Sequence, residues 1–588
     1  MSEKRLQMKT VLVGINSKYI HTCLAIWYLK ASILKDENFK VTKSNIIIRE
    51  FTINDNKDNI LSEIYKEKPD VLTFSCYIWN IDIILLLSRE LKKLLPHLKI
   101  ILGGPEVSYD AHTILEDNSA IDFVLCGEGE EAFPILHGSI LNNSDDYKKL
   151  SGIAYRNENI IVYNEGFSLV QNLDDIKSPY TPELMESVAN RIVYYESSRG
   201  CPFSCSYCIS STFNGVRYFS LDRVKQDINA LLVYKPKLIK FVDRTFNCNK
   251  QRAKEIFQFI IGLDCNTLFH FEAAADLFDD EALELLSYSP KGRIQLEIGL
   301  QTTNPNTLEE IDRVTDIVKL SRNVSNILKK GNIHVHLDLI AGLPFEDLES
   351  FKKSFNSVYV MRPHQLQLGF LKLLKGSKIR NEARKHGFTY RNYAPYEVLS
   401  NNYVSYEDIL LLKDVEEVLE RYFNSSRFEN SMEFIEKNLF SNAFKLYYTL
   451  SVFCREKGYL DRPISYRENI AILYRFFQSI YSSEKYVEVF RQKMIFDFLS
   501  SDSSCAIPEC LKREEDMIGI SAIHQLLKNQ DFINVYLPEY DGIAPKNILK
   551  SVFFIKLCNI TKAGEIIMFD YLQKDLMNGK YRSVVIKE

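Results

Sequence analysis

Two hydrophobic periods alternate along roughly the first 140 residues of the chain. Short apolar runs rich in β-branched residues predict buried strands, and the segments between them repeat apolar positions every three or four residues, as amphipathic helices do. The predicted strands cover residues 10–15, 45–51, 71–76, 99–102 and 122–125. Five strands that alternate with helices predict a doubly wound, flavodoxin-like α/β domain over residues 1–140. A ligand of such a sheet binds at the carboxyl ends of the strands.

The same alternation returns after a connector of residues 141–190, which contains only a short hairpin-like pattern. Over residues 191–385, strands are predicted at 192–196, 238–242, 268–273, 294–300, 335–340 and 365–371. Six βα units in succession predict a partial TIM-type (β/α)6 barrel with its site at the carboxyl ends of the strands. Residues 386–588 contain few glycines and follow a helical period, so a mostly helical C-terminal domain is predicted.

Length and charge narrow the class of protein. A chain of 588 residues exceeds one hydrophobic core and predicts about three or four domains. A net charge of -4 gives no indication of a general nucleic-acid or membrane-surface binder. No secretory signal precedes the first strand, and no apolar run approaches the ~20 residues that span a bilayer. We therefore expect a cytoplasmic protein without a membrane span, whose 12 cysteines are thiols.

Only three of these cysteines are tightly grouped, namely Cys201, Cys205 and Cys208. Three thiolates in one short loop can converge on a metal centre. A 4Fe–4S cluster normally takes four cysteines, so three would leave one iron open to a further ligand. One alternative is a structural zinc site, which needs a fourth ligand such as the more distant Cys248 or His270. Another alternative is three ordinary buried thiols.

The Cys-x3-Cys-x2-Cys spacing follows the first strand of the predicted barrel, and the aromatic Tyr207 precedes its last cysteine. This motif resembles the radical S-adenosylmethionine (SAM) superfamily. The resemblance implies that the open iron binds the amino and carboxylate groups of SAM. It also implies that one electron cleaves SAM to methionine and a 5′-deoxyadenosyl radical, with Tyr207 packed against the adenine.

Three later segments match the same superfamily at strand ends. Residues 241–247 resemble its second-strand motif, which implies that Asp243 binds the SAM amino group; the alternative is a helix cap. Residues 297–304 resemble the family's Glu-x-Gly-x-Gln-Ser segment, which implies polar contacts to SAM from Gln301 and Asn304. Glu272, at the end of the third strand, is a further candidate for SAM binding.

A turn after the fifth barrel strand resembles the superfamily's adenine-contacting turn. The resemblance implies that Ile340 and Gly342 contact the adenine, and Gly342 permits a close approach of the backbone. Asp338 and Phe345 stand where the family pattern has glycine and glutamate.

A doubly wound domain in front of such a barrel resembles the cobalamin-dependent radical SAM enzymes. That group includes the anaerobic magnesium-protoporphyrin monomethyl ester cyclase and many methyltransferases. Small residues at strand ends let the backbone approach a flat corrin. The candidate cobalamin contacts are Asn16, Ser75, Tyr77, Gly103, Gly104, Gly127 and Glu128. The Asp-x-His-x-x-Gly signature is absent, so we expect cobalamin without a protein histidine on cobalt; the alternative is a vestigial domain.

These resemblances imply an enzyme with a 4Fe–4S cluster, SAM and cobalamin, which drives radical methyl transfer or a cyclisation or rearrangement. The substrate is unknown and expected to be a small molecule, and the electron donor is expected to be a flavodoxin or ferredoxin. A non-catalytic iron–sulfur sensor or scaffold is the alternative class. The C-terminal segment resembles a domain of unknown function that a subgroup of these enzymes carries. The sequence of residues 368–377 is also typical of that subgroup, and these residues could face substrate.

Overall fold

The structure is a computed structural model that describes residues 8–35, 45–158, 160–213, 215–562 and 564–587. Within these ranges no helix combines the length and the apolar character that crossing a membrane requires. Buried residues of the first sheet, of the barrel and of the C-terminal helices contribute to one continuous hydrophobic core, as Leu12, Phe257 and Phe498 illustrate.

The first domain is a seven-stranded sheet in the order β2-β1-β3-β4-β5-β6-β7. Its strands are β1 (Thr10–Asn16), β2 (Ile46–Thr52), β3 (Val71–Ser75), β4 (Lys99–Gly103), β5 (Phe123–Leu125), β6 (Ile153–Asn157) and β7 (Ile160–Asn164). Its helices are α1 (Leu24–Lys35), α2 (Lys57–Glu67), α3 (Ile81–Leu94), α4 (Ala111–Asp117) and α5 (Gly129–Asn142). The first five strands are parallel in the flavodoxin-like order. The hairpin of the predicted connector adds β6 and β7 antiparallel to the same sheet.

The second domain is an open six-stranded parallel sheet in the order β15-β14-β13-β12-β11-β8, preceded by α6 (Pro182–Ser187). Its strands are β8 (Val193–Tyr195), β11 (Leu238–Phe241), β12 (Leu268–Glu272), β13 (Ile294–Gln301), β14 (His334–Ala341) and β15 (Gln365–Phe370). A separate antiparallel pair consists of β9 (Ser198–Cys201) and β10 (Gly215–Tyr218). Its helices are α7 (Leu221–Leu232), α8 (Lys250–Ile261), α9 (Asp280–Ser287), α10 (Pro305–Glu310), α11 (Ile317–Lys330), α12 (Leu348–Val360) and α13 (Lys378–Asn381).

Strict alternation along the central barrel strands positions the polar side chains. In β13 and β14 every second residue is fully buried and apolar, such as Leu296 and Leu337. Because successive side chains of a strand point to opposite faces, the apolar positions pack under the helices and the polar ones line the barrel lumen. The lumen is therefore lined by charged and amide side chains.

The C-terminal region is mostly helical, as predicted. Its helices are α14 (Tyr406–Leu419), α15 (Glu429–Leu439), α16 (Ala443–Glu456), α17 (Tyr466–Ile480), α18 (Glu484–Ser501), α19 (Ile520–Lys528), α20 (Gln530–Tyr536) and α21 (Pro545–Ile548). Its strands are β16 (Thr389–Tyr390), β17 (Val398–Ser400), β18 (Val552–Ile555), β19 (Ile566–Lys574) and β20 (Tyr581–Ile586). The late apolar runs form β18 and β19; β20, which pairs with β19, is half exposed and carries a weak apolar signal.

Candidate active site

Of the three grouped cysteines, Cys201 ends β9, and Cys205 and Cys208 lie on the segment between β9 and β10. Cys205 is buried, whereas Cys201 and Cys208 are half-buried. Burial raises the pKa of Cys205; Arg313 opposes this rise, and the charges of Cys208 and Cys201 add to it, so both other thiols lie within electrostatic range of Cys205. The Thr245 hydroxyl lies 3.6 Å from Cys201 Sγ, and the Ser210 backbone N–H donates to Cys208 Sγ at 3.4 Å. A convergent set of thiols with polar hydrogens nearby fits a 4Fe–4S cluster.

The backbone of this loop is held by the barrel on both sides. The Ser206 N–H donates to the Ile311 carbonyl, and the Ser206 carbonyl accepts from the Ile379 N–H, both at 2.9 Å. At the start of the loop Gly200 has φ +98°, and a Cβ there would lie 2.3 Å from the Gly215 carbonyl oxygen. The loop conformation therefore depends on contacts made outside the cysteine motif.

A fourth thiol lies near the motif. Burial raises the pKa of Cys248, with a smaller contribution from Cys201, and its Sγ lies 3.4 Å from the Tyr218 hydroxyl. His270, the other distant zinc candidate, contacts Glu297 in the lumen. Cys248 would therefore be the fourth ligand of a zinc site, whereas a three-cysteine iron–sulfur cluster would not need it.

Arg313 is the site residue that sequence reasoning missed. One of its guanidinium nitrogens lies 3.7 Å from Cys205 Sγ and 3.2 Å from the Tyr207 hydroxyl, and another donates to the Gly299 carbonyl. Its Nε has no hydrogen-bond partner among the described residues. A lone arginine between two helices carries no local signal, and the fold alone brings it to the cysteine loop. Its charge makes this part of the site favourable for an anionic ligand group.

Three carboxylates face the barrel lumen, but only one of them has cationic partners at hydrogen-bond distance. Glu297 accepts from Lys240 at 3.0 Å and contacts His270 at 2.9 Å. Burial opposes its charge, but His270 and Lys240 lower the pKa of Glu297 to about 2. Glu272, one strand away, has its pKa raised by burial, and Arg244 only partly opposes that shift.

Asp338 is the third carboxylate, and one of its oxygens lacks a partner. Its Oδ1 is buried without a hydrogen bond to any described residue. Burial, together with the nearby Glu297 and Glu272, raises the pKa of Asp338 to about 8. A buried acceptor of this kind is costly unless a ligand donates to it. Asp338 and Glu272 therefore favour a ligand that brings hydrogen-bond donors or positive charge.

The turns after β13 and β14 bring several predicted SAM contacts together. Tyr207 and Ile340 pack in the same apolar cluster. Gln301 has φ +72° at a register shift between β13 and β14, a strained conformation of the kind that occurs at binding sites. Gly342 has φ +89°, and its carbonyl accepts from the Asn401 side chain at 2.9 Å.

Two details of these turns differ from the expectation. The Asn304 side chain caps α10 and donates to the Phe345 carbonyl, so its hydrogen-bonding groups are already used within the chain. The buried acid of the β14 turn is Glu346, one residue after Phe345, and it accepts from the Thr302 hydroxyl at 2.6 Å. Phe345 itself is 42% exposed, and its place at the glutamate position of the family pattern stays a prediction.

Asp243 is fully occupied by the turn that leads into the cysteine motif. Its carboxylate accepts from the Ser197 N–H at 3.0 Å, from the Ser197 hydroxyl at 2.7 Å and from the Ser198 hydroxyl at 2.5 Å. Its side chain does not cap the short helical turn that follows. This geometry gives Asp243 a role in positioning β9, and its direct contact with SAM stays a prediction.

Replacing Asp243 by alanine is expected to weaken SAM binding about tenfold while the iron content stays near that of the wild type. Three buried donors on Ser197 and Ser198 would lose their acceptor. This loss destabilises the loop conformation by on the order of 1–3 kcal/mol. Equilibrium dialysis with SAM and iron analysis of the reconstituted protein measure both effects. Ser197→Ala should reproduce part of the loss; unchanged SAM affinity in both variants would remove Asp243 from the site.

The first domain presents an open edge at the carboxyl ends of β3 and β4. Tyr77 stacks on Trp79 with ring centroids 4.5 Å apart and an interplanar angle of 4°. Gly104 has φ +106°, and a Cβ there would lie 2.6 Å from the Cys76 carbonyl oxygen. Gly103 is half-buried with open space beside its Cα, since a Cβ there would meet only the Leu125 carbonyl oxygen, at 3.7 Å. This flat, glycine-lined edge beside stacked rings fits a corrin.

Other predicted cobalamin residues are engaged within the chain. The Asn16 side chain donates to Glu50 at 2.8 Å. Glu128 accepts from the Val170 N–H at 2.7 Å and from Arg217 of β10. A Cβ on Gly127 would lie 2.4 Å from the Ser168 carbonyl oxygen. Glu128 and Gly127 thus connect the first domain to the barrel and to the chain segment that joins them, Asn16 pairs within the first sheet, and the contact of all three with cobalamin stays a prediction.

The histidine nearest the first strand is also engaged. His21 Nδ1 lies 2.6 Å from the hydroxyl of Tyr194 in β8. Burial and then the charges of Lys18 and Lys240 lower the pKa of His21. One ring nitrogen of His21 is therefore engaged by the barrel, and the expectation that no protein histidine binds cobalt stays a prediction.

Family models match three successive parts of the chain. The B12 binding domain matches residues 10–137, the Radical SAM superfamily matches residues 195–358, and a protein of unknown function, DUF4080, matches residues 384–569. These domains imply a 4Fe–4S cluster, SAM and cobalamin as cofactors, as the sequence predicts. The exact domain boundaries stay predictions.

Curated relatives match between about a third and just over half of the chain. The cobalamin-dependent radical SAM methyltransferase TokK of Streptomyces tokunonensis is 26% identical over 316 residues, which are 51% of this chain and 46% of TokK. The anaerobic magnesium-protoporphyrin IX monomethyl ester cyclase of Synechocystis is 27% identical over 254 residues, 42% of this chain and 50% of the cyclase. The chain spans about half the length of the curated relatives it matches.

Solved structures show the same fold at low sequence identity. The cobalamin-dependent SAM radical enzyme OxsB with aqua-cobalamin bound has a TM-score of 0.57 at 14% identity, over 84% of this chain and 80% of OxsB. The radical SAM methyltransferase TsrM of Kitasatospora setae has a TM-score of 0.54 at 16% identity, over 66% of this chain and 82% of TsrM. The predicted fold class is thereby confirmed. The chain thus combines a B12-binding domain, a radical SAM domain and a C-terminal DUF4080 domain, and its relatives include cobalamin-dependent radical SAM methyltransferases and a magnesium-protoporphyrin cyclase.

Proposed function

We propose that the chain is an enzyme that cleaves SAM reductively and transfers a methyl group, with cobalamin, to a small-molecule substrate. The observation that carries the proposal is one juxtaposition at the carboxyl end of the barrel. Arg313 lies beside Cys205 of the three grouped thiols, and two carboxylates of the lumen, Glu272 and Asp338, have no cationic partner at hydrogen-bond distance among the described residues. When bound, the reduced cluster supplies the electron for SAM cleavage and cobalamin supplies a methyl carrier.

The residues around the thiols complement SAM, which has a carboxylate, an ammonium group, ribose hydroxyls and an adenine. Arg313 would bind the carboxylate, because it is the cation next to Cys205. Glu272 and Asp338 would accept hydrogen bonds from the ammonium group and the ribose. Tyr207 and Ile340, which share an apolar cluster, would contact the adenine. Cys201, Cys205 and Cys208 would hold the cluster.

The first domain would hold cobalamin at the edge formed by Ser75, Tyr77, Gly103 and Gly104. The methyltransferase proposal is supported by TokK and by 2-(S-pantetheinyl)-carbapenam-3-carboxylate methyltransferase, which align over 51% and 50% of the chain; the cyclases, which align over 42% to 56% of it, make cyclisation the alternative. We expect the external electron to come from a flavodoxin or ferredoxin.

Anaerobic reconstitution with iron, sulfide, SAM, a chemical reductant and hydroxocobalamin is expected to yield two products from SAM. Formation of 5′-deoxyadenosine reports reductive cleavage, and S-adenosylhomocysteine reports methyl transfer to the corrin. Liquid chromatography with mass detection measures both. Deoxyadenosine alone, with no corrin retained, would indicate a vestigial first domain. If neither product forms from a protein with full iron content, the enzyme proposal fails and a sensor or scaffold is indicated.

A further inference from the structure

The segment that follows β15 lies against the first domain. The sequence suggests that residues 368–377 could face substrate. In the structure, the end of this stretch lies against the first domain, where Lys375 contacts Glu106. The Leu373 N–H donates to the Tyr396 carbonyl at 3.0 Å, and the Val398 N–H donates to the Leu371 carbonyl at 2.9 Å. This pairing folds residues 371–398, here called the docking segment, into a hairpin-like unit. The docking segment includes the first residues of the DUF4080 match.

Two side chains of the docking segment converge on one carboxylate of the first domain. Lys375 Nζ lies 3.2 Å from Glu106 Oε1 and 2.8 Å from Asp110 Oδ2. The Tyr396 hydroxyl donates to the same oxygen of Glu106. Glu106 and Tyr396 are each 5% exposed. The contact is therefore a desolvated ion pair with a charge-assisted hydrogen bond, which is far more sensitive to truncation than an exposed ion pair.

Backbone strain accompanies this contact. Tyr396 has φ +57°, in the left-handed region that side chains other than glycine rarely adopt. Gly376 has φ +80°, and a Cβ there would lie 2.3 Å from the ring of Tyr109 in the first domain. Strained conformations persist where the surrounding contacts impose them, and they cluster at functional sites. Tyr396 and Gly376 both lie directly at the contact with the first domain.

Glu106 belongs to the loop that we assign to the corrin. It directly follows Gly103, Gly104 and a proline, at the carboxyl end of β4. Three residues later, the Tyr109 hydroxyl donates to the Thr212 hydroxyl at 3.1 Å, four residues beyond the last cluster cysteine. The loop of residues 103–106 thus lies between the cysteine loop and the docking segment.

We propose that Lys375 and Tyr396 hold the loop of residues 103–106 in its corrin-binding position, so that the docking segment, which runs into the DUF4080 match, orders one side of the cobalamin site. The inference rests on the proposed function, which places cobalamin on this edge. A loop that is already ordered loses less entropy when it binds a ligand, so its affinity is higher. Without Lys375, the carboxylates of Glu106 and Asp110 would be buried side by side without a cation, and the loop would move to rehydrate them.

The test measures corrin affinity in the full-length, anaerobically reconstituted protein, with hydroxocobalamin as the probe and absorbance after gel filtration as the readout. Lys375→Met is expected to weaken binding at least tenfold and Tyr396→Phe about threefold, since each removes a buried polar partner of Glu106. Lys375→Arg, which keeps the charge, should recover most of the affinity. Lys378→Met is the matched control, because its Nζ pairs with Asp312 at 2.7 Å and not with the first domain.

Iron content, SAM affinity and the melting temperature of the cobalamin-free protein distinguish a positioning role from general destabilisation. They are expected to stay at wild-type values in Tyr396→Phe while corrin affinity falls. If Lys375→Met fails to fold, Tyr396→Phe decides alone. Wild-type corrin affinity in Tyr396→Phe and in a folded Lys375→Met would overturn the inference. If the wild type itself retains no corrin, the cobalamin assignment fails first and the inference fails with it.

Discussion

Replacing Cys205 by alanine is expected to leave the anaerobically reconstituted protein without its cluster and without any SAM cleavage. Cys205 is the buried member of the three thiols and the one that Arg313 contacts. Two remaining thiolates, on Cys201 and Cys208, cannot hold a cube that normally takes four cysteines and here has three. Iron and sulfide analysis, the visible absorbance and the yield of 5′-deoxyadenosine measure the loss, which should be complete within detection.

The matched control for this prediction is Cys248→Ala. Cys248 lies within electrostatic range of Cys201, and its Sγ contacts the Tyr218 hydroxyl at 3.4 Å. It should retain full iron and sulfide. Loss of metal in Cys248→Ala as well as in Cys205→Ala, with zinc found in the wild type, would establish a four-thiolate zinc site instead. Full iron content in Cys205→Ala would contradict the cluster assignment directly.

Replacing Arg313 by methionine is expected to lower SAM affinity about 100-fold, equivalent to about 3 kcal/mol. The guanidinium is a buried cation beside Cys205 and Tyr207, so it can neutralise the SAM carboxylate where water is scarce. Methionine keeps much of the side-chain volume and removes the charge. Equilibrium dialysis with SAM measures the affinity, and iron analysis verifies that the cluster is still bound.

Two further variants separate charge from packing at this position. Arg313→Lys keeps the charge, but its single ammonium group lacks the two fixed nitrogens with which the guanidinium contacts the Tyr207 hydroxyl and the Gly299 carbonyl together. This variant should therefore recover only part of the SAM affinity. Arg322→Met, an exposed arginine whose side chain donates only to Asn323, is the control and should bind SAM normally. SAM affinity within twofold of the wild type in Arg313→Met would remove this residue from the SAM site.

The family and the fold class could be predicted because their signals are local. The three thiols lie within eight consecutive residues, so the chain itself keeps them within reach of one centre whatever the surrounding fold. The alternation of strand and helix patterns likewise depends on a few neighbouring positions at a time. The hairpin of β6 and β7 showed in the sequence as a hairpin, but its attachment to the first sheet did not, because edge pairing depends on the partner strand.

The role of individual polar side chains was decided by the tertiary structure. Asp243 and Asn304 stand at motif positions, yet their hydrogen bonds go to Ser197, Ser198 and the Phe345 carbonyl. A motif places a residue at a strand end, and only the packing of neighbouring turns determines where its side chain finds donors. The same limit applies to Glu128, whose carboxylate pairs with Arg217 of the barrel.

By itself, the sequence determined the cluster motif, the order of the three domains and the strand ends at which ligands bind, since short-range spacing encodes all of these. Only the tertiary structure brought Arg313 to Cys205, across 108 residues, and the docking segment to the first domain, where Tyr396 and Glu106 are 290 residues apart. Such contacts depend on the register and packing of whole elements, and a buried charge has meaning only once its partner is known.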